Sequence, residues 1–164
     1  TSQSHDRCSV VEVMGRRAGW IALNVAIASG AIACVTPEIP YDINAIADKI
    51  IKAHESQKEH FIVVVAEGVE ASDEITKKIN ELTGIETRLT VLGHVQRGGM
   101  PTLRDRVAAS QMGYHAVELI DRGVTNRVVG MKDNKIIDVD IQEALSMKKP
   151  FDEELYRVCN EITF

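Results

Sequence analysis

The stretch "HFIVVVAEG", His60 to Gly68, decides the fold. Its five consecutive apolar residues, Phe61 to Val65, predict a central parallel strand, because such strands are buried on both faces. An amphipathic helix is predicted before this strand in the chain, and another helix after it. Asp42 to Lys58 carries isoleucines and alanines at helical spacing behind an N-capping aspartate, and Ser72 opens a second helix that ends before Gly84. The chain therefore alternates helix and strand around this segment.

The same alternation extends toward both ends of the first hundred residues. Three further strands are predicted, at Cys8 to Met14, Ala31 to Val35 and Glu86 to Gly93. A helix from Trp20 to Gly30 carries Ile21, Val25 and Ala28 at helical spacing. The order β, α, β, α, β, α, β favours an α/β fold in which a parallel sheet is flanked by helices in Rossmann-like layers.

The sequence beyond Gly98 has a different order of elements. A long helix is predicted with Pro101 in its first turn and Gly123 at its end. Two strands joined by a turn at Asp133 and Asn134 follow, and then a short helix. The last predicted helix occupies Glu153 to Glu161.

Composition limits the kinds of function that the chain can have. The 164 residues are 45% hydrophobic and carry a net charge of −5, which argues against general binding to nucleic acid or to an acidic membrane. Three cysteines lie far apart in the sequence and outside any C-x-x-C pattern, so neither a disulfide framework nor a zinc site is indicated. We expect a cytoplasmic protein.

Charged side chains and glycines follow three of the predicted strands. Because the carboxyl ends of parallel strands share one edge of the sheet, we expect these residues to meet there. Arginines and a histidine can hold a phosphate, and a carboxylate can accept hydrogen bonds from hydroxyls, so a phosphorylated sugar or polyol is the predicted ligand. The residues are Met14, Gly15, Arg16, Glu67, His94 and Arg97.

Structural roles are also open for these residues. Glu67 could cap a helix or pair with Arg16, and His94 could bond to backbone. Gly98 and Gly99, before a helix, could form an anion site of their own from backbone N–H groups. The sequence contains neither G-x-x-x-x-G-K-[ST] nor G-x-G-x-x-G, so these motifs do not support nucleotide binding.

Three motifs, taken in order, resemble the 6-phosphofructokinase family: "VVEVMGRRAGWIAL", "VVVAEG" and "TRLTVLGHVQRGGMPT". The resemblance implies the sugar-phosphate half of a two-domain fold. It also implies transfer of a phosphoryl group to the 1-hydroxyl of fructose 6-phosphate in glycolysis, with magnesium and usually ATP. The branch that "AGWIAL" resembles includes both ATP-using and pyrophosphate-using enzymes, so the donor stays open.

The same resemblance implies a role for each residue that matches a family motif. Met14, Gly15 and Arg16 would surround the sugar, and Arg16 would also steady the moving phosphoryl group. Glu67 would bind sugar hydroxyls, while His94 and Arg97 would bind the 6-phosphate.

Other family residues lie at subunit interfaces or in a regulatory site. Arg7 and Arg88 would reach a neighbouring subunit's 6-phosphate, which implies a homo-oligomer, a dimer or a tetramer. An allosteric site would include Gly30 and Lys58. Ile32 stands where regulated bacterial members carry a glutamate, and of their lysine pair only Lys58 is present.

The family's nucleotide segments and its catalytic base are expected upstream of this match. We therefore expect residues 1–97 to form the substrate domain, 98–147 to be a returning segment of the nucleotide domain, and 148–164 to bring a helix back. The chain alone is expected to be inactive, with the Mg²⁺ ligands in the missing half. The alternatives are a non-catalytic sugar-phosphate-binding subunit and a structural α/β module.

Overall fold

A computed structural model describes residues 7–162. The chain divides into two compact units. The first contains the residues up to Gly98 together with the segment from Phe151 onward, and the second is Gly99–Pro150.

The first unit is built on a four-stranded parallel sheet. Its strands lie in the order β2, β3, β1, β4, so β1 and β3 are central. Val13 of β1 is paired with Ala66 of β3, and Glu12 with Val91 of β4. This arrangement confirms the predicted parallel sheet and the central position of the Phe61 strand. The strands are β1 (Cys8–Val13), β2 (Ala33–Val35), β3 (Phe61–Ala66) and β4 (Thr87–Val91).

Helices account for most of the remaining chain, and several of their predicted ends are confirmed. The Asp42 side chain accepts a hydrogen bond from Asn44 N–H at 2.9 Å, as an N-cap should. Gly30 and Gly84 end their helices with φ of 63° and 70°, a left-handed conformation that favours glycine. Between residues 7 and 162 the helices are α1 (Trp20–Ser29), α2 (Ile43–Glu55), α3 (Ser72–Thr83), α4 (Leu103–Asp121), α5 (Ile141–Ser146) and α6 (Glu153–Glu161).

The sheet of the first unit is buried on both faces by apolar side chains. One cluster combines residues of β1 and β3 with α2 and α3, including Val63, Ile50 and Ile79. The other combines the opposite side of the strands with α1 and α6, including Val64 and Leu23. The run of apolar residues in β3 is therefore explained by burial on both faces.

The apolar residues noted at helical spacing along α1 do not form its buried face. Ile21 and Val25 are 41% and 37% exposed, whereas Ala22, Leu23 and Ala26 are buried. Because α1 is apolar on every side, the spacing of its apolar residues could not select the face. The structure places the two alanines against the sheet, where small side chains allow close approach of the helix.

The second unit contains α4, α5 and the antiparallel hairpin of β5 (Arg127–Lys132) and β6 (Lys135–Asp140). Asp133 and Asn134 form its two-residue turn with φ of 51° and 59°, which confirms the predicted turn. Pro101 does not lie in the first helical turn. Thr102 is the N-cap of α4 and forms a capping box with Asp105, so the proline precedes the helix. No helix within residues 7–162 has both the length and the apolar character needed to span a membrane.

Candidate sugar-phosphate site

The candidate residues of the three strand ends lie at one edge of the first unit's sheet. Met14, Gly15 and Arg16 follow β1, and Glu67 follows the neighbouring β3 in a short 3-10 turn, Glu67–Val69. His94 and Arg97 belong to a second 3-10 turn, Gly93–Gly98, which follows β4 on the other side of β1. The topology thus brings together three segments that lie far apart in the sequence.

The loop that carries Arg16 is held by hydrogen bonds from three other segments. Met14 N–H donates to Gln96 Oε1 at 3.0 Å, which ties the start of the loop to the His94 turn. Gly68 N–H donates to the Gly15 carbonyl at 3.3 Å. At the far end of the loop, Gly19 N–H donates to Glu38 Oε1 at 2.8 Å, in front of the amino terminus of α1. A carboxylate there also interacts favourably with the helix dipole.

Gly68 lies directly against the backbone of the Arg16 loop. A Cβ at Gly68 would lie 2.2 Å from the Arg16 carbonyl oxygen and 2.7 Å from its carbonyl carbon. Both are backbone atoms that a rotamer change cannot move. The glycine is therefore required for the turn after β3 to approach the turn after β1.

Four charged or titratable side chains at this edge remain available to a ligand. Within residues 7–162, the side chains of Arg16, Glu67, His94 and Arg97 form no hydrogen bond or ion pair with another residue. Arg16, His94 and Arg97 are exposed, and Glu67 is half-buried. The structural roles considered for Glu67 and His94, namely capping, pairing with Arg16 or bonding to backbone, are not observed. This edge therefore combines cationic groups with an unpaired carboxylate.

Arg7 and Arg88 lie at the opposite end of the sheet. Arg7 precedes β1, and Arg88 is paired in register with Ser9 near the start of that strand. A strand of six residues spans about 20 Å, so these arginines cannot join the Arg16 edge within one chain. Glu86 binds both of them, at 2.7 Å to Arg7 Nε and 2.7 Å to an Arg88 terminal nitrogen. These two hydrogen bonds lower the pKa of the Glu86 carboxyl.

The residues of the expected effector site also lie at the amino end of the sheet. Gly30 precedes β2, and Lys58 precedes β3. Ile32 between them is 1% exposed and belongs to the core cluster of α2 and α3. The position where a regulatory glutamate is expected therefore holds a core side chain.

The described residues contain no ready cluster of metal-ligating side chains. Divalent magnesium is held by carboxylate oxygens, usually with phosphates and water. In the segment from residue 7 to residue 162, no three His, Cys, Asp or Glu side chains are grouped so that they could hold a metal ion.

Three residues that support the site were missed by sequence reasoning. Gln96 lies inside a motif already singled out, but its polar side chain carries no local sign that it accepts from Met14. Glu38 follows a proline in a loop, and nothing nearby in the sequence points to Gly19. For Gly68, the only signal was its position directly after Glu67 at the end of a strand.

An α/β unit with unpaired arginines, a histidine and a carboxylate at the carboxyl edge of a parallel sheet is suited to binding a phosphorylated ligand. Comparison with known proteins identifies the family to which the chain belongs. The family model described as phosphofructokinase matches residues 1–120. The chain belongs to the phosphofructokinase family.

Named relatives match nearly the whole chain. "ATP-dependent 6-phosphofructokinase 1" of Clostridium perfringens is 51% identical over 162 residues, which is 99% of this chain and 51% of that protein. "ATP-dependent 6-phosphofructokinase" of Clostridium tetani is 48% identical and is matched over 100% of this chain and 51% of its own length. The chain thus spans about half the length of the curated relatives it matches.

Solved structures of phosphofructokinases share the fold. The enzyme from Saccharomyces cerevisiae is 31% identical with a TM-score of 0.77, over 98% of this chain and 22% of that one. The T-state enzyme from Pichia pastoris is 29% identical with a TM-score of 0.75, and the match covers 96% of this chain and 19% of that one. A pyrophosphate-dependent phosphofructokinase from Marinobacter aquaeolei is 20% identical with a TM-score of 0.78. The match covers 93% of this chain and 44% of that one, and at this identity it supports the fold alone.

Proposed function

We propose that this chain is the fructose 6-phosphate half of an ATP-dependent 6-phosphofructokinase. The complete enzyme transfers the phosphoryl group of ATP to the 1-hydroxyl of fructose 6-phosphate and forms fructose 1,6-bisphosphate. The observation that carries the proposal is the set of unpaired charged side chains at the carboxyl edge of the sheet. The 51% identity to an enzyme named ATP-dependent 6-phosphofructokinase supports it.

Each side chain at this edge has chemistry suited to one part of the substrate. Phosphoryl transfer spreads negative charge over the transferred group, so catalysis depends on positioning and on cationic stabilisation. Arg16 supplies a guanidinium for that charge, from a loop anchored at three points. His94 and Arg97 hold the 6-phosphate, while Glu67 accepts hydrogen bonds from the sugar hydroxyls. Met14 and Gly15 line the sugar between them.

ATP is the proposed phosphoryl donor. The names of the relatives from Clostridium support ATP rather than pyrophosphate. We assign the nucleotide and Mg²⁺ to the part of the enzyme that this chain does not include. We accordingly propose that the chain alone has no activity.

A homo-oligomer completes the sugar-phosphate site. Arg7 and Arg88 are too far from Arg16 to act in the same site of one chain, at the opposite end of a strand of six residues. Glu86 holds the two guanidinium groups side by side, and a pair of arginines suits the bidentate binding of a phosphate. We assign them to the 6-phosphate of a neighbouring subunit in a cytoplasmic dimer or tetramer.

The second unit is proposed to be the returning segment of the nucleotide domain, with residues 98–147 leaving the substrate domain and 148–164 rejoining it. Its long helix exposes apolar side chains that are suited to burial against the rest of that domain, among them Tyr114 at 69%, Val117 at 65% and Ile120 at 71%. Hydrogen exchange tests this assignment. In the isolated 164-residue chain, α4 should exchange much faster than β3, and equally slow exchange would contradict it.

The activity is tested on the full-length protein with a coupled assay for fructose 1,6-bisphosphate. We expect turnover with fructose 6-phosphate and ATP, and little with pyrophosphate. Turnover with pyrophosphate alone would show that the donor is wrong. Binding of fructose 6-phosphate without turnover by either donor would favour a non-catalytic sugar-phosphate-binding subunit.

A further inference from the structure

The carboxyl end of β2 contacts the loop that carries Arg16, although no candidate site residue is predicted there. In the sheet, β3 lies between β2 and β1. The loop after β1 therefore passes the end of β3 before α1 starts, and Gly19 contacts Thr36 and Glu38 beyond the end of β2. Arg16 lies only three residues before Gly19. The position of Gly19 thus influences the position of Arg16.

Gly19 fits tightly against Thr36. A Cβ at Gly19 would lie 2.4 Å from both Cβ and Cγ2 of Thr36. The φ of Gly19 is −86°, which any residue adopts, so the glycine is needed for space and not for its backbone conformation. Thr36 is 2% exposed, so its side chain has little space to give way. This contact fixes how closely the loop approaches the end of β2.

Glu38 supplies an interaction that α1 lacks locally. Gly19 has no side chain with which to cap the helix, and the first turn of α1 contains no acidic residue. Glu38 Oε1 accepts the Gly19 N–H instead, at 2.8 Å and across 19 residues of sequence. Four other helices between residues 7 and 162 are capped by the side chain of the residue directly before them, namely Asp42, Thr102, Asp140 and Asp152. The start of α1 therefore depends on a side chain from another segment.

The segment that carries Glu38 is stiff, and the carboxylate has one partner. Pro37 precedes Glu38 and Pro40 follows two residues later, and each proline restricts its own φ and the residue before it. Among the residues that the structure describes, Glu38 forms no other side-chain hydrogen bond and no ion pair. A carboxylate held in this way is suited to fixing the position of a loop.

We propose that Glu38 is a positioning residue for phosphoryl transfer, because it holds Gly19 and thereby sets the place of the Arg16 guanidinium. This inference rests on the proposed function and deepens it. The other charged side chains of the site, Glu67, His94 and Arg97, follow β3 and β4 and do not contact Glu38. Loss of the Glu38 carboxylate should therefore lower kcat and leave KM for fructose 6-phosphate nearly unchanged.

The test is steady-state kinetics of the full-length enzyme with fructose 6-phosphate and ATP. Glu38→Ala should lower kcat by about tenfold and change KM by less than about twofold, because a small displacement of a catalytic group is costly. Glu38→Gln keeps the length and offers an amide oxygen to Gly19, so kcat should stay within about threefold of normal. Glu38→Asp keeps the charge but is one methylene shorter, so it should resemble Glu38→Ala. A higher kcat in Glu38→Asp than in Glu38→Gln would show that charge at the helix end matters and position does not.

Asp152→Ala is the matched control for stability. It removes a side-chain acceptor that lies 2.8 Å from the Leu155 N–H at the start of α6, in the same unit. Both alanine variants should lower Tm, but Asp152→Ala should leave kcat per folded molecule unchanged. Equal losses of kcat in the two variants would reduce Glu38 to a structural role. If Glu38→Ala fails to fold, the comparison of Glu38→Gln with Glu38→Asp decides the matter.

A double-mutant cycle shows whether Glu38 acts through Arg16. In an enzyme that already carries Arg16→Ala, adding Glu38→Ala should change kcat by less than about twofold. Losses that multiply would contradict the proposal. No turnover by the unsubstituted enzyme would refute the proposed function and this role together, whereas normal turnover with an unchanged kcat in Glu38→Ala would overturn the role of Glu38 alone.

Discussion

Gln96 Oε1 accepts the backbone N–H of Met14 at 3.0 Å, across 82 residues of sequence. This hydrogen bond joins the loop that carries Arg16 to the turn that carries His94 and Arg97. It therefore links the group proposed to meet the transferred phosphoryl with the groups proposed to hold the other end of the sugar. It adds a side-chain link to the backbone pairing of β1 with β4 at this edge.

Loss of this hydrogen bond should weaken catalysis. Gln96→Met keeps the length of the side chain but removes the acceptor, and we expect kcat/KM of the full-length enzyme to fall by about fivefold, as the loss of one hydrogen bond does. Steady-state kinetics with fructose 6-phosphate measures the effect. Gln111→Met, the same change at an exposed position on α4, should leave kcat/KM unaltered. Equal losses in the two variants would show that Gln96 has no special role.

Substitution of the two arginines of the site should change different kinetic constants. Arg16→Ala should lower kcat by about 10²- to 10³-fold, because its guanidinium is needed where charge develops in the transition state. Arg97→Ala should instead raise KM for fructose 6-phosphate by about tenfold to hundredfold, because a charge-assisted hydrogen bond to the 6-phosphate is lost. Initial rates over a range of substrate concentrations separate the two constants.

The neighbouring exposed arginine supplies the control for these two variants. Arg17→Ala removes the same charge one residue further along the loop and should change neither constant more than about twofold. The same loss of kcat in the Arg16 and Arg97 variants would contradict the division of roles.

Gly68 and Gly113 should respond to the same substitution with opposite signs. Gly68→Ala places a Cβ 2.2 Å from the Arg16 carbonyl oxygen and should destabilise the fold by about 1–3 kcal/mol. Gly113 lies within α4, and its Cβ would meet nothing within 4 Å. Gly113→Ala should therefore stabilise the fold by about 0.5–1 kcal/mol. Urea denaturation compares the free energies of unfolding, and a neutral Gly68→Ala would show that the Arg16 loop moves freely.

Glu86 should make stability depend on pH in the acidic range. Its pKa is lowered in the folded state by Arg7 and Arg88 from an ordinary value of 4.5. A lowered pKa means that the stabilisation is present above the unfolded value and is lost as pH falls through the folded value. The difference in Tm between the unsubstituted protein and Glu86→Gln should thus be present at pH 7 and shrink below pH 4.5.

Glu59→Gln is the matched control for this pH profile, because Glu59 is exposed in the connection before β3. Its Tm should follow that of the unsubstituted protein at every pH. A Tm difference for Glu86→Gln that stayed constant through the acidic range would rule out the assigned ion pairs as its cause.

Much of the fold is local and could be predicted. The apolar run of β3, the isoleucine face of α2, the Asp42 cap and the Asp133–Asn134 turn all act within a few residues, so the printed sequence contains their cause. The buried face of α1 could not be predicted, because an apolar helix has no polar side to mark the solvent. Pro101 was placed in the wrong position because Thr102 competes as a cap, and the capping box with Asp105 decides where the helix starts.

By itself, the sequence determined the helices and strands, their order along the chain, the parallel sheet, and which residues follow the carboxyl ends of the strands. Only the tertiary structure decided what those residues touch. Gln96 reaches Met14, Gly68 supports Arg16, and Glu86 joins Arg7 to Arg88 because strand order and register bring distant segments together. Cys34 of β2 and Cys159 of α6 belong to one apolar cluster for the same reason. Rules of periodicity and capping extend over about four residues, whereas these contacts depend on how whole strands and helices pack.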